Sequence, residues 1–122
     1  MKFYKCNHCG KIITEINETF VPVICCGEKM GEITAGTVDA SREKHIPAYE
    51  IVGNVVSVAV GSVEHPMLAE HYIEWVVLET ESGYSLKYLK PNVAPKVEFS
   101  ILSGEKVVGV YAYCNLHGLW KA

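Results

Sequence analysis

No apolar run in this chain approaches the roughly 18 residues that a membrane-spanning helix needs, so a membrane protein of the helical kind is not expected. Basic clusters are missing as well. Lys and Arg total 11 against 14 Asp and Glu, a formal net charge of -3, and no Lys/Arg run exists to neutralise phosphates and release counterions. Nucleic acid is therefore excluded as the expected partner, and any anionic ligand must be attracted locally. The opening MKFYKCNHCG passes into polar and cysteine residues without an apolar signal-type stretch, and a cytoplasmic location is expected. Helical periodicity of useful length is absent too, which leaves β-structure as the main resource. At 122 residues the chain suffices for one modest core and a small appendage.

The five cysteines are present in an informative arrangement. In a reducing compartment a set containing CxxC reads as metal ligands before disulfides, and an odd count leaves one over in any pairing scheme. The leftover is Cys114. The other four, Cys6, Cys9, Cys25 and Cys26, fall in a first segment, 1–35, with few residues for a core and glycines close behind the cysteine pairs. A segment that small is expected to need a metal or another staple. The stretch TAGTVDASREK (34–44) is small and polar and reads as a linker, which places a second domain at 36–122.

That second domain has a β pattern. NVVSVAVGS puts Val56, Val58 and Val60 on one face by strict alternation. HYIEWVVLETESGYSLKYLK reads as two strands around a turn at Glu81, Ser82 and Gly83. KVEFSILSGEKVVGVYAYC repeats the pattern: Val97, Phe99 and Ile101 alternate, Ser103 and Gly104 turn, and a strand runs into Cys114. Pro91 and Pro95 fall between these hairpins, where they remove no ladder hydrogen bonds. The expected fold class is all-β, with a small metal-binding N-terminal domain ahead of an antiparallel sandwich.

CNHCG is a knuckle whose two thiolates can grip one ion while turn N–H groups point at the sulfurs. VICCGEKM supplies an adjacent pair. Four thiolates make a soft, near-tetrahedral site for iron or zinc, and from spacing alone a structural zinc ribbon stands level with an iron centre. His8 lies inside the knuckle, but four sulfurs already complete the site, so it reads as a solvent-facing bystander. The remaining histidines are His45, His65, His71 and His117, each at an element boundary beside Pro47, Pro66, the start of a strand or Gly118. Singly, each is better read as an ordinary surface histidine. Jointly, with Cys114, they sit where the strand ends of a sandwich meet at one pole.

In their order, EKH-x-P, HP, HYIEW and CNLHGLW resemble the superoxide reductases. With the CxxC and CC pairs ahead of it, the whole chain resembles the two-iron, desulfoferrodoxin-type members of that family. The resemblance implies an immunoglobulin-like catalytic domain carrying a mononuclear non-haem iron with His45, His65, His71 and His117 as equatorial ligands and Cys114 as the axial one. It implies a desulforedoxin-like N-terminal domain holding a second iron, or zinc, on Cys6, Cys9, Cys25 and Cys26. The implied reaction is one-electron reduction of superoxide to hydrogen peroxide, with electrons from rubredoxin or a similar small redox protein, in a homodimer. By the same resemblance Lys44 steers superoxide, and Glu43 occupies the sixth position of the oxidised iron and leaves on reduction. From the residues alone, a Glu-Lys pair in a polar stretch is more simply a solvated one.

Rival readings come from other classes. A rubredoxin-type electron-transfer protein would use only the four-cysteine iron, with the sandwich as scaffold. A zinc-ribbon interaction protein would have no redox role. A dismutase would share the ligands but would also oxidise superoxide and evolve dioxygen.

Overall fold

The computed structural model describes residues 1–122. The chain divides into two compact units, Met1–Thr34 and Ala35–Ala122.

In the first unit, β1 (Phe3–Lys5) is the middle strand of a small antiparallel sheet, with β2 (Ile12–Thr14) on one side and β5 (Gly31–Ile33) on the other. Between them a hairpin pairs β3 (Ile24–Cys25) with β4 (Glu28–Lys29). Its two-residue turn is Cys26–Gly27, at φ +51° and +77°. Two successive positive φ values are the requirement of the type I′ turn, whose twist matches that of the strands it joins. Glycine meets it freely, whereas Cys26 occupies a region that side-chain-bearing residues seldom enter.

The second unit is a two-sheet sandwich. One sheet has the order β10 (Lys96–Ser100), β7 (Val55–Val60), β6 (Pro47–Val52); the other has β12 (Gly118–Lys121), β11 (Val107–Cys114), β8 (Ile73–Thr80), β9 (Gly83–Tyr88). All pairings are antiparallel. Val56, Val58, Val60 and Phe99 of the first sheet pack with Ile73, Val76, Leu78, Val110 and Ala112 of the second in one buried core. The alternation of β7 decides which of its side chains enter, because successive Cβ atoms point to opposite faces. The central strands β8 and β11 are largely buried, and the edge strand β9 is exposed along its length.

Three features differ from expectation. The strand ending at Ser100 does not form a hairpin with the one ending at Cys114: β10 pairs with β7 and β11 with β8, so the chain crosses from one sheet to the other through 101–106. β6 is a full strand on the far side of a tight turn from β7, and it carries no alternation signal because it is an edge strand exposed from Ala48 onward. Finally, Arg42–Lys44, read as the end of a linker, forms with His45 a single helical turn, α1 (Arg42–His45).

These connections bring one end of both sheets to a common pole. Pro47 lies opposite Val60, and Cys114 lies opposite both Ile73 and Gly118, so α1, the turn after β7, the turn before β8 and the β11–β12 turn all emerge there.

Candidate metal centres

The knuckle of the first unit closes through backbone bonds from the Gly10 N–H to the Cys6 carbonyl (3.0 Å) and from the Cys6 N–H to the Lys11 carbonyl (2.9 Å). Backbone N–H groups of Cys9 and His8 face the Cys6 sulfur and pull its pKa down to about 6. Cys25 closes β3 and Cys26 turns away in its left-handed conformation, which directs two consecutive side chains to the same side. Cys9 Sγ is 3.7 Å from Cys25 Sγ, which is 4.0 Å from Cys26 Sγ. A disulfide needs about 2.05 Å, so none of these is bonded. For a tetrahedral ion with metal–sulfur bonds of about 2.3 Å, adjacent sulfurs lie roughly 3.8 Å apart. The four sulfurs therefore fit a metal. Without a cation they crowd one another: neighbouring thiols push Cys25 up to about 12 and raise Cys26 as well. His8 is exposed, its Nε2 3.1 Å from a Glu28 carboxylate oxygen, and stands outside the sulfur cluster.

At the pole of the sandwich the four imidazoles form a square. Ring centroids of His45 and His65, His65 and His71, His71 and His117, and His117 and His45 are 4.6, 4.7, 5.0 and 4.9 Å apart, whereas His45 and His71, across the diagonal, are 6.4 Å apart. Neighbouring rings stand nearly perpendicular. The donor atoms of His45, His65, His71 and Cys114 lie within 4.8 Å of one another, and His117 joins them through Nδ1, 3.8 Å from Cys114 Sγ. Cys114 is fully buried.

Tautomers follow from the hydrogen bonds. His45 Nδ1 is 2.6 Å from the Ser41 carbonyl oxygen and His65 Nδ1 is 2.7 Å from that of Pro66. A carbonyl only accepts, so both Nδ1 atoms carry the proton and both Nε2 atoms present bare lone pairs. Those lone pairs face each other at 3.1 Å, and His45 Nε2 faces His117 Nδ1 at 3.2 Å. Facing lone pairs repel unless a cation lies between them. Metal–nitrogen bonds of about 2.1 Å would set neighbouring nitrogens of a square roughly 3.0 Å apart, close to what is seen. His71 Nε2 is likewise buried without a hydrogen-bond partner. Burial keeps His45 and His71 below the ordinary imidazole value and His65 down to about 4, so the ring nitrogens are free to bind. Burial also pushes the Cys114 thiol up, opposed by the N–H groups of His117 and Leu116, which face its sulfur. A cation is needed to hold the thiolate. Five donors exceed the four of a structural zinc site, and imidazole with thiolate suits iron.

Glu43 and Lys44 lie in α1, exposed, immediately before His45. The Lys44 charge reaches the square: it disfavours the protonated forms of His45 and His71. The hydroxyl of Ser41 holds the Glu43 carboxyl below its ordinary value. The turn after β7 grips α1, with the Val63 N–H (3.0 Å) and the Ser62 hydroxyl (3.2 Å) both donating to the Glu43 carbonyl. Gly61 permits this approach. A Cβ there would lie 2.5 Å from the Glu43 carbonyl oxygen and 2.9 Å from that of Ile46. Nothing in the sequence marked Gly61 or Ser62 as part of the site, because each acts on backbone that is distant along the chain.

Four thiols in a small N-terminal unit, and four imidazoles with one thiol at the end of a β-sandwich, define a protein with two metal centres, one closed and one with fewer donors than an octahedral ion accepts. A family model for desulfoferrodoxin matches residues 37–122. Over 99% of this chain and 94% of the relative, it is 46% identical to the desulfoferrodoxin of Nitratidesulfovibrio vulgaris. Over the whole chain and 96% of the relative, it is 43% identical to a desulfoferrodoxin homologue of Archaeoglobus fulgidus. A solved superoxide reductase from Treponema pallidum superposes with a TM-score of 0.83 at 40% identity, covering 99% of this chain and 97% of that one. The chain belongs to the desulfoferrodoxin family.

Proposed function

We propose that this protein is a superoxide reductase, which takes one superoxide, one electron and two protons to one hydrogen peroxide. The observation that carries the reading is the square of four imidazoles with a buried thiol at one pole of the sandwich. His45, His65, His71, His117 and Cys114 are read as the ligands of the working iron, and Cys6, Cys9, Cys25 and Cys26 as those of the second. Iron held by those five donors would supply one-electron redox chemistry and would leave room for an oxygen ligand. The rest falls to the chain. Lys44 provides a local positive field on a protein of net negative charge, drawing in the small anion. The Ser41 and Pro66 carbonyls hold His45 and His65 in the tautomer that leaves Nε2 bare. Cys114, fully buried, would donate electron density to that iron. Glu43, exposed and two residues before His45 in sequence, would be the carboxylate within the chain that such an iron could bind beyond those five donors.

An external one-electron donor closes the cycle. Rubredoxin or a similar small protein fits that role, and a homodimer working in the cytoplasm completes the proposal. The four-cysteine centre alone would serve a simple electron carrier, but that reading leaves the converging histidines without a purpose.

The test is the yield of hydrogen peroxide per superoxide consumed, with reduced protein and a supplied reductant. A ratio near one without dioxygen supports the reading. A ratio near one half with dioxygen evolved means dismutation and overturns it.

A further inference from the structure

We infer that Asn115 is the positioning residue that sets His71 in register with Cys114 and His117. It occupies the first of the two places between those residues, and its side chain turns to the segment carrying His71. Three hydrogen bonds link them. The Asn115 backbone N–H donates to the Tyr72 carbonyl (3.2 Å), the Tyr72 N–H donates to Asn115 Oδ1 (2.9 Å), and Asn115 Nδ2 donates to the Glu70 carbonyl (3.0 Å). The residues gripped stand on either side of His71. One partner is a donor and the other an acceptor, so only one orientation of the amide satisfies both.

His71 needs such a device more than His45 and His65 do. His45 and His65 are each held by an Nδ1–H bond to a carbonyl, and the His117 carbonyl accepts from Trp120 Nε1 (3.0 Å). No hydrogen bond orients the His71 ring, and its Nε2 is buried without a partner. Its backbone is paired in both directions with Leu68, at 2.9 and 3.1 Å, so the 68–71 turn moves as a piece. What fixes that piece against the β11–β12 turn is Asn115. Its own oxygen is 4.0 Å from Cys114 Sγ and is not offered as a ligand.

The inference rests on His71 and Cys114 binding one ion, and the experiment separates the two claims. Iron-loaded full-length protein is challenged with a chelator, and loss from the His/Cys centre is followed by its ferric–thiolate absorption. Tryptophan fluorescence reports in the same sample that the sandwich is folded, because Trp75 and Trp120 both lie in it. Outer partners of metal ligands typically matter by about 10- to 100-fold in affinity, so Asn115→Ala is expected to speed loss by about tenfold or more and to shift the absorption band. In a His71→Ala background the same substitution is expected to change the rate by less than about twofold, since coupled residues are non-additive. Asn115→Asp keeps the Tyr72 bond but sets an oxygen against the Glu70 carbonyl; it is expected to fall between, and it carries the test if the alanine variant does not fold. An unchanged rate and band in Asn115→Ala, or a full effect persisting without His71, overturns the inference. No change in His71→Ala itself overturns the ligand reading instead.

Discussion

The two units of this chain hold themselves together by opposite means. In Met1–Thr34 the buried apolar side chains are Phe3, Cys6 and Met30, one of them a member of the sulfur cluster, while Ile16, Phe20 and Val21 lie exposed. In Ala35–Ala122 a continuous core of valines, Ile73, Leu78 and Phe99 spans both sheets, and the metal-binding side chains sit at its end. The first unit is built around its four sulfurs; the second sets its imidazole square on a finished scaffold. This difference suits the two chemistries. A closed four-sulfur site has no position for substrate, whereas a site that must exchange a ligand needs a frame that keeps its shape between states.

Metal removal should break the comparison most visibly. Structural metals contribute on the order of 10 kcal/mol to small domains, more than three buried side chains supply. With Cys9→Ser and a chelator, amide protection in β1, β2 and β5 is expected to vanish while β7, β8 and β11 keep theirs. Protection that survives in β1 without metal would show that the small unit folds by packing alone.

The reverse perturbation is expected to spare the small unit. Phe99→Ala deletes a ring that is 2% exposed in the sandwich core, at a typical cost of about 3–5 kcal/mol. Trp75 and Trp120, the two tryptophans of the chain, both lie in the sandwich, so their fluorescence follows that unit alone. Their unfolding midpoint should fall while the absorption of the four-cysteine iron stays in place. If both signals move together, the units do not fold independently.

How much of this was legible beforehand follows the same division. The β7 alternation and the turn between β8 and β9 could be read because short-range pattern decides them. β6 could not, since an edge strand open to solvent need not alternate. Nor could the crossing between β10 and β11, because pairing partners lie far apart in sequence and a turn signal does not say which sheet the next strand joins. The CxxC knuckle was plain from spacing, yet the convergence of Cys25 and Cys26 depends on a positive φ that spacing does not encode. Each histidine taken alone looked like a surface residue, and only the sandwich topology makes four loop positions neighbours.

A smaller effect belongs to the entrance of the second centre. Lys44→Ala removes the local cation while leaving every donor atom in place, so the iron and its absorption should be unchanged. The second-order rate with superoxide should fall by about tenfold, the lower end of electrostatic steering, and should lose most of its ionic-strength dependence. This can be measured by pulse radiolysis at several salt concentrations. An unchanged rate would remove Lys44 from the mechanism and leave the ligand set untouched.

The smallest expected effect lies at the other end of β8 and β11, away from the metal. There the Glu105 carboxylate accepts from the hydroxyls of Thr80 and Ser82, both at 2.6 Å, and from the Leu102 N–H at 3.0 Å, joining the β8–β9 turn to the 101–106 crossing. These donors hold its pKa down to about 2, from an ordinary value of 4.5. Because the folded value is the lower one, the bonds contribute fully above the ordinary value, and the contribution is lost as pH falls toward the folded one. Glu105→Gln keeps the shape and removes the titration. The stability gap between the native chain and this variant, read from tryptophan fluorescence in denaturant, should therefore be widest near neutrality and close as pH drops below 4.5 toward 2. A gap that stays constant across that range would mean that the carboxylate's charge adds nothing, and that the far pole, like the core beneath it, is held by packing.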